Sequence, residues 1–429
     1  MLNILIENLK TFDDVEYLIK ETKTQRVESY NIKKQTEMNR EVETTLIVLT
    51  LYVTFEEEGK KYRGSYSTEI HPGTDTETLK TIISEGVYAA GFVKNAFFPL
   101  VEPTPATLSK NQDLDIAATL VDLQTGFHEC DNHTKGHISY SEFFVTRSDV
   151  RILNSNGVDV SFTTYTAFVE TAVHMPSGDK EIEITEAYRF SVDDNSLSNL
   201  KARVDELFAV AEKKSKAKPT PSVGDINILL SGECLSTFFS YYLNCSSAQM
   251  VYRQLSTFKE GTDVQGGGDS DRICMILDPL MKGSSLSRGY DDHGFPLASQ
   301  KIIENGKLLK FWGDTRFASY LEIPPTGIIN NIKIEGGTAT SLRDEPYLEL
   351  VSFSDFQVDP VTGDFGSEIR LGYYFDGKTT TPITGGSISG NMAKVQDGLK
   401  MSVETRQYNN YHGPATICMR GASISGVEG

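Results

Sequence analysis

The chain has 429 residues, with 41 Lys and Arg against 59 Asp and Glu and a formal net charge of −18. That length exceeds one ordinary core, so two domains are expected; 39% hydrophobic and 23% charged residues are ordinary for a globular chain. A surface this acidic opposes the phosphate backbone, so direct nucleic-acid binding is not expected.

From the N-terminus, Glu7, Lys10, Asp13 and Asp14 interrupt the stretch Met1–Leu18 where a secretion signal would need an apolar run. Val15, Leu18 and Ile19 fall on one face of a short helix predicted over Thr11–Thr22. Thr44–Phe55 is rich in β-branched and aromatic residues and reads as a strand. It is too short to cross a bilayer, so no membrane contact is expected. Glu57–Lys61 supplies turn chemistry, and Tyr62–Thr68 returns as the second strand of a hairpin. Thr74 and Glu77 form a capping-box pattern ahead of an apolar stripe of Leu79, Ile82, Ile83, Val87 and Ala90. Pro99, Pro103 and Pro105 mark a loop, and a helix is predicted over Asp113–Leu123.

A long β region spans His137–Phe190, with Asn156-Gly157 as a hairpin signal. Leu200, Val204, Leu207, Phe208 and Ala211 mark another amphipathic helix. The stretch Lys213–Gly224 is basic, bears Pro and Ser, and has no apolar period, so it reads as a linker. The expected division is residues 1–212, a linker at 213–224, and residues 225–429. The second part opens with a strand over Ile226–Leu230 and a helix over Glu233–Leu243, followed by strands with Gly-rich turns. The five cysteines, Cys130, Cys234, Cys245, Cys274 and Cys418, include no CxxC pair. Reduced thiols in the cytoplasm fit that pattern.

Six segments, in order, carry a family resemblance. They are Val150–Gly157, Asp278–Pro296, Lys301–Leu308, Asp314–Ala318, Asp359–Phe365 and Pro382–Asn391. Together they resemble the TldD/PmbA family, nearest its PmbA (TldE) branch, a peptidase-related group also described as modulators of DNA gyrase. Elements and resemblance together imply an α+β chain of two domains, each with largely antiparallel sheets and packed helices, the second strongly β-rich.

Active members of that family carry HExxxH on a helix after the first strand of the second domain, with a cysteine near the C-terminus as a further zinc ligand. Here the matching helix is Glu233–Leu243, and no histidine occurs between His174 and His293. Cys418 lies in Ala415–Met419, which reads as a final strand rather than the preceding loop, where Tyr411 and His412 stand. The resemblance therefore implies no catalytic, cofactor-binding or metal-ligating residue in this chain. It implies a non-catalytic subunit, with zinc on a TldD-type partner and unfolded peptide as substrate; self-association as a homodimer is the other arrangement.

The letters HExxxH do occur, displaced, as His128, Glu129 and His133, with Cys130 and His137 nearby. Histidines at i and i+5 of a regular helix point about 140° apart, so a helix would have to distort to join them. The flanks, Thr125-Gly126 and Thr134–Gly136, read as turns. An active zinc peptidase using this site is the alternative, and a stand-alone peptide-binding scaffold is the second. Asp291, Asp292 and His293 read as a turn held by Asx hydrogen bonds rather than as a cation site. Gly266–Gly268 has no following GK[ST] and reads as a plain loop.

Overall fold

The computed structural model describes residues 1–12, 15–104, 113–133, 135–193, 195–335 and 337–427. Asp13, Asp14, Pro105 and Thr134, used in the readings above, lie outside the described residues. Residues 15–191 build a seven-stranded antiparallel sheet. Its strands are β1 (Val15–Ile32), β2 (Gln35–Glu57), β3 (Lys60–Ile70), β4 (Asn95–Ala96), β5 (His137–Asn154), β6 (Asp159–Ser177) and β7 (Lys180–Ser191). Their order in space is β4-β3-β2-β1-β5-β6-β7. Helices α1 (Leu2–Leu9), α2 (Thr76–Ala90), α3 (Ile116–Glu129) and α4 (Ser196–Lys214) cover one face. Ile19, Ile47, Leu49 and Leu51 meet α1 and α2, while Phe143, Val145, Val169 and Val173 meet α3 and α4.

The predicted helix over Thr11–Thr22 is not formed. That segment enters β1, which pairs with β2 on one side and β5 on the other. Leu18 and Ile19 pack to opposite faces, Leu18 beside Tyr52 and Phe98 and Ile19 beneath the helices. Two continuous backbone ladders outweigh a three-residue pattern. The hairpin from β2 to β3 is formed, and its tight turn places Glu58 and Gly59 at φ 54° and 72°. In α2 the cap is Asp75 rather than Thr74: the Asp75 carboxylate accepts from the Thr78 N–H. Leu79, Ile83 and Ala90 are buried as the stripe requires. Helix α3 runs on to Glu129, so Thr125-Gly126 is helical, not a turn. A Cβ on Gly126 would stand 2.4 Å from Leu197 Cδ1, so the glycine lets α3 lie close on α4. Between β5 and β6, Asn154 Oδ1 accepts from the N–H groups of Asn156 and Val158, and Gly157 takes φ 97°.

Helix α4 buries its predicted stripe and continues through Lys214. Lys218–Pro219 forms β8, parallel to Thr380–Thr384. Thr220 is buried, its hydroxyl donating to the Gly385 carbonyl at 2.6 Å. The basic segment is thus partly helix and partly strand. Two further sheets follow. The ten-stranded one includes β9 (Asn227–Ser231), flanked by Thr416–Met419 and Tyr347–Phe353. The six-stranded one includes Cys274–Leu277, Ile332–Glu335 and Tyr411–Pro414. Helix α5 (Cys234–Cys245) shares one core with both, where Ile228 and Leu230 meet Met275, Leu277 and Ile334. The architecture is α+β with largely antiparallel sheets. No helix among the described residues is long and apolar enough to cross a membrane.

Candidate functional site

The resemblance expects a metal-binding helix at the position of α5 (Cys234–Cys245). Strand β9 turns through Gly232, at φ 96°, into the helix. Leu235, Phe238, Phe239 and Tyr242 are completely buried there. Phe238 meets Phe239 edge-on at 5.4 Å, and Phe239 stacks on Tyr411. Tyr242 Oη donates to Gln396 Oε1 at 2.9 Å, so its hydroxyl is satisfied inside the core. The Cys234 thiol donates to the Ser231 carbonyl, and burial pushes its pKa up to about 12. A thiol held protonated by desolvation is a poor metal ligand.

The C-terminal cysteine does not approach this helix. Cys418 lies in a strand beside β9, as its sequence predicts, although Ser423–Ser425 follows as a later strand. Ile417 and Met419 point into the core shared with α5, whereas Cys418 packs with Leu229 and Tyr347 on the other face. Tyr411 enters the core and its neighbour His412 does not. The donor set therefore does not fit a zinc ion at α5. No group of three or more His, Cys, Asp or Glu among the described residues is arranged to hold a metal.

The displaced HExxxH is dispersed as well. His128, in the last turn of α3, points at the sheet, with Nε2 3.0 Å from Ser141 Oγ. Burial lowers its pKa, as expected for an imidazole kept neutral. Glu129 pairs with Lys201 on α4 at 2.8 Å. His133, beyond the helix, stacks on Phe208 with centroids 3.9 Å apart, and its Nε2 lies 3.7 Å from Asp205. The His137 ring meets His174 across the β5–β6 ladder. Three residues close in sequence thus serve three different contacts between α3, α4 and the sheet.

Asp291 is completely buried, and its Oδ1 accepts from the N–H groups of His293 and Phe295. That is the predicted Asx turn. Asp292 faces the other way. Its Oδ1 meets Lys20 of β1 and Arg288, each at 2.7 Å, tying the turn to the N-terminal sheet. Gly266 is held between Asp263 and Arg272, as a loop anchor.

One feature escaped the sequence. A cleft of about 1280 Å³ opens between β5, β6 and the segment 280–289, with Arg147, Tyr165, Asp193, Lys282, Ser285 and Arg288 on its walls. The Ser191 N–H donates to the Gly283 carbonyl at 3.0 Å at its rim. Its walls come from distant stretches, so no local spacing marks it. The sequence signal is that its walls include parts of two of the resemblance segments, Val150 and Arg151 of Val150–Gly157 and residues 280–289 of Asp278–Pro296.

Residues 223–426 match the family model of the PmbA/TldA metallopeptidase C-terminal domain. An uncharacterized protein of Methanocaldococcus jannaschii is 28% identical over 263 residues, covering 57% of this chain and 59% of that one. A zinc metalloprotease TldD homolog of Saccharolobus solfataricus is 27% identical over 237 residues, covering 52% and 48%. The chain thus spans about half the length of these curated relatives (59% and 48%). Among solved structures, TldE from Thermococcus kodakarensis superposes with a TM-score of 0.74 at 16% identity over 99% of both chains. A Thermotoga maritima protein named as a candidate modulator of a DNA gyrase gives 0.76 at 14% identity, over 99% of this chain and 98% of that one. At such identities these two establish the fold. Residues 223–426 thus match the C-terminal domain of the PmbA/TldA metallopeptidases, and the whole chain shares the fold of these two structures.

Proposed function

We propose that this chain is a TldE-like, non-catalytic subunit of a metal-dependent peptidase that acts on unfolded peptides in the cytoplasm. The observation that carries the reading is α5. At the position of the family's metal helix stand Phe238, Phe239 and Tyr242, fully buried, with no histidine. Zinc then belongs to a TldD-type partner, and this chain contributes walls to the chamber they enclose. The polar cleft beside β6 suits such a wall, since its charged and hydroxyl groups can meet the backbone of a passing peptide. The two-domain division at residues 213–224 is part of the same reading. The free cysteines, four of them buried, accord with a reducing compartment.

The test is to express the chain with and without a TldD-type paralogue, then measure co-purification, zinc content and cleavage of an unfolded peptide. The expected result is a stable complex whose zinc and activity follow the partner. Stoichiometric zinc on the isolated chain, or a homodimer that neither binds nor alters a TldD-type peptidase, would overturn the reading.

A further inference from the structure

The seven-stranded sheet ends differently on its two sides. On one side it stops at β4, which is 2 residues long, and on the other at β7, which is 12 residues long. Among the described residues, β7 pairs with β6 and with no other strand. From Glu181 to Ser191 it contains no proline and no glycine, and its register with β6 runs without a bulge. Short length, proline and bulges are common means by which an edge strand is kept from pairing with another chain, and β7 uses none of them.

The direction of its backbone groups follows from two bonds at its end. The Val192 N–H donates to the Tyr165 carbonyl at 3.0 Å, one step beyond the Thr166–Ser191 pair of the β6–β7 ladder. Even-numbered residues of β7 therefore turn their N–H and C=O groups towards β6. The Ser191 N–H turns the opposite way, to the Gly283 carbonyl at 3.0 Å. By the same alternation Glu181, Glu183, Thr185, Ala187 and Arg189 turn their backbone groups outward. Among the described residues none of these five bonds to another segment through them. Glu181, Glu183, Thr185 and Arg189 are exposed. Such a row of free donors and acceptors is a template for one further strand.

The side chains decide which strand fits. An antiparallel copy of β7, related by a two-fold axis through Thr185, sets Glu181 opposite Arg189 on both sides of the axis. Thr185 then meets its own copy, Ile182 meets Tyr188, Glu183 meets Ala187 and Ile184 meets Glu186. Opposite charges, threonine pairs and β-branched residues against aromatic ones are favourable across strands, and no like charges face each other. Moving the axis to Glu183 or to Glu186 would set two glutamates face to face. The axis through Thr185 also employs all five outward-facing residues, for about ten backbone hydrogen bonds in all. An arbitrary extended peptide would match the backbone but leave Glu181 and Arg189 without their counterparts.

We propose that β7 is a self-association surface, through which two copies of this chain join edge to edge, antiparallel about a two-fold axis at Thr185, into one sheet that runs through both. The net charge of −18 on each copy opposes association at long range, so the matched Glu181–Arg189 pairs also select the register. None of residues 181–189 lines the polar cleft or belongs to α5, so the proposal stands independently of the peptidase-subunit reading and of whether a TldD-type partner binds.

The experiment is sedimentation velocity of the full chain at ~0.15 M salt, where long-range repulsion is screened, together with residue-resolved hydrogen exchange. A concentration-dependent dimer is expected, with the amides of Glu181, Glu183, Thr185, Ala187 and Arg189 protected in step with its formation. Thr185→Lys sets like charges at the axis while reducing the overall negative charge, and should leave a folded monomer. Arg189→Glu should weaken the dimer about tenfold. The double variant Glu181→Arg with Arg189→Glu exchanges the pair and should restore it. Arg189 also lies 4.4 Å over the Phe168 ring, so Arg189→Glu can lower stability within one chain. The exchanged pair does not replace that contact, so recovery of the dimer reports on the meeting of two copies. A chain that stays monomeric at ~100 µM overturns the proposal. So does a dimer that persists in Thr185→Lys, or an exchanged pair that associates no better than Arg189→Glu. Protection of the β7 amides in a monomer on addition of an unfolded peptide would assign the edge to peptide and overturn it as well.

Discussion

Phe239 and Tyr411 lie nearly parallel, with ring centroids 5.9 Å apart and 13° between their planes. One ring comes from α5 and the other from the strand Tyr411–Pro414, so the stack joins the helix to the six-stranded sheet. Tyr411 Oη donates to the Pro414 carbonyl at 3.1 Å, which keeps its polar end satisfied within the core. Helix α5 is thus a structural strut between the two sheets of the C-terminal part.

Phe239→Ala should therefore destabilise the chain by ~3–5 kcal/mol, the usual cost of deleting a buried aromatic ring from a packed core. Chemical denaturation followed by fluorescence measures it. A loss below ~1 kcal/mol would mean that the ring is not packed as described. Binding to a TldD-type partner, measured at a temperature where the variant is folded, should be unaffected.

A second expectation concerns how α2 sits on the sheet. A Cβ on Gly64 of β3 would stand 1.8 Å from the backbone carbonyl oxygen of Ala90, at the end of α2. A Cβ on Gly86 of α2 would stand 2.7 Å from Leu51 Cδ1. The two glycines allow the helix to approach the strands without intervening side chains. Gly64→Ala meets backbone, which cannot rotate away, and should cost more than ~3 kcal/mol. Gly86→Ala meets the tip of a leucine and should cost ~1–3 kcal/mol. Equal Tm losses in the two variants would refute the distinction.

Much of this arrangement was legible from residue patterns. The β2–β3 hairpin, the stripes of α2 and α4, and the apolar face of α5 all follow from periodicity and turn chemistry. So does the missing histidine, since that is composition rather than geometry. Strand β1 was misread because it is covered on both faces: Leu18 and Ile19 are both apolar, and the alternation that marks a half-exposed strand is lost. The end of α3 was misread because Gly126 looks like a turn residue, yet its lack of a side chain serves contact with α4. The fate of Cys418 follows from strand alternation once Ile417 and Met419 are known to face inward. The cleft was not legible, because it joins segments far apart in the chain, such as Arg147 with Lys282.

The thiols give a third prediction. Burial pushes Cys234 up to about 12 and Cys245 and Cys418 up to about 11, and it raises Cys130 as well. Cys274 is the one cysteine that is only partly buried, with Sγ accepting from the Asn305 N–H at 3.3 Å. Alkylation depends on thiolate and on access. Brief treatment of the native chain with iodoacetamide at pH 8, read by peptide mass spectrometry, should label Cys274 well before the other four. Labelling of Cys234 at a comparable rate would contradict its place in the core.

The last prediction rests on a carboxylate pair where α4 and β7 meet the start of α5. Arg203 of α4 donates to Glu233 at 2.9 Å and lies 4.0 Å from Glu186 of β7. Burial raises the Glu186 pKa to about 7, and the neighbouring Glu233 charge adds to the rise while Arg203 opposes it. The ordinary value is 4.5, so between about 4.5 and 7 the folded chain holds a proton that the unfolded chain has released. The sign follows: the stabilisation from Glu186 is fully present below about 4.5 and is lost as the pH rises through about 7. Glu186→Gln imitates the protonated group at every pH. It should match the parent near pH 5 and unfold at a higher Tm near pH 8, with a flatter profile between. Glu233→Gln removes the like charge and should move the midpoint of the parent's decline downward. Parallel Tm-versus-pH curves for Glu186→Gln and the parent would show that Glu186 is ionised in the folded chain at neutral pH.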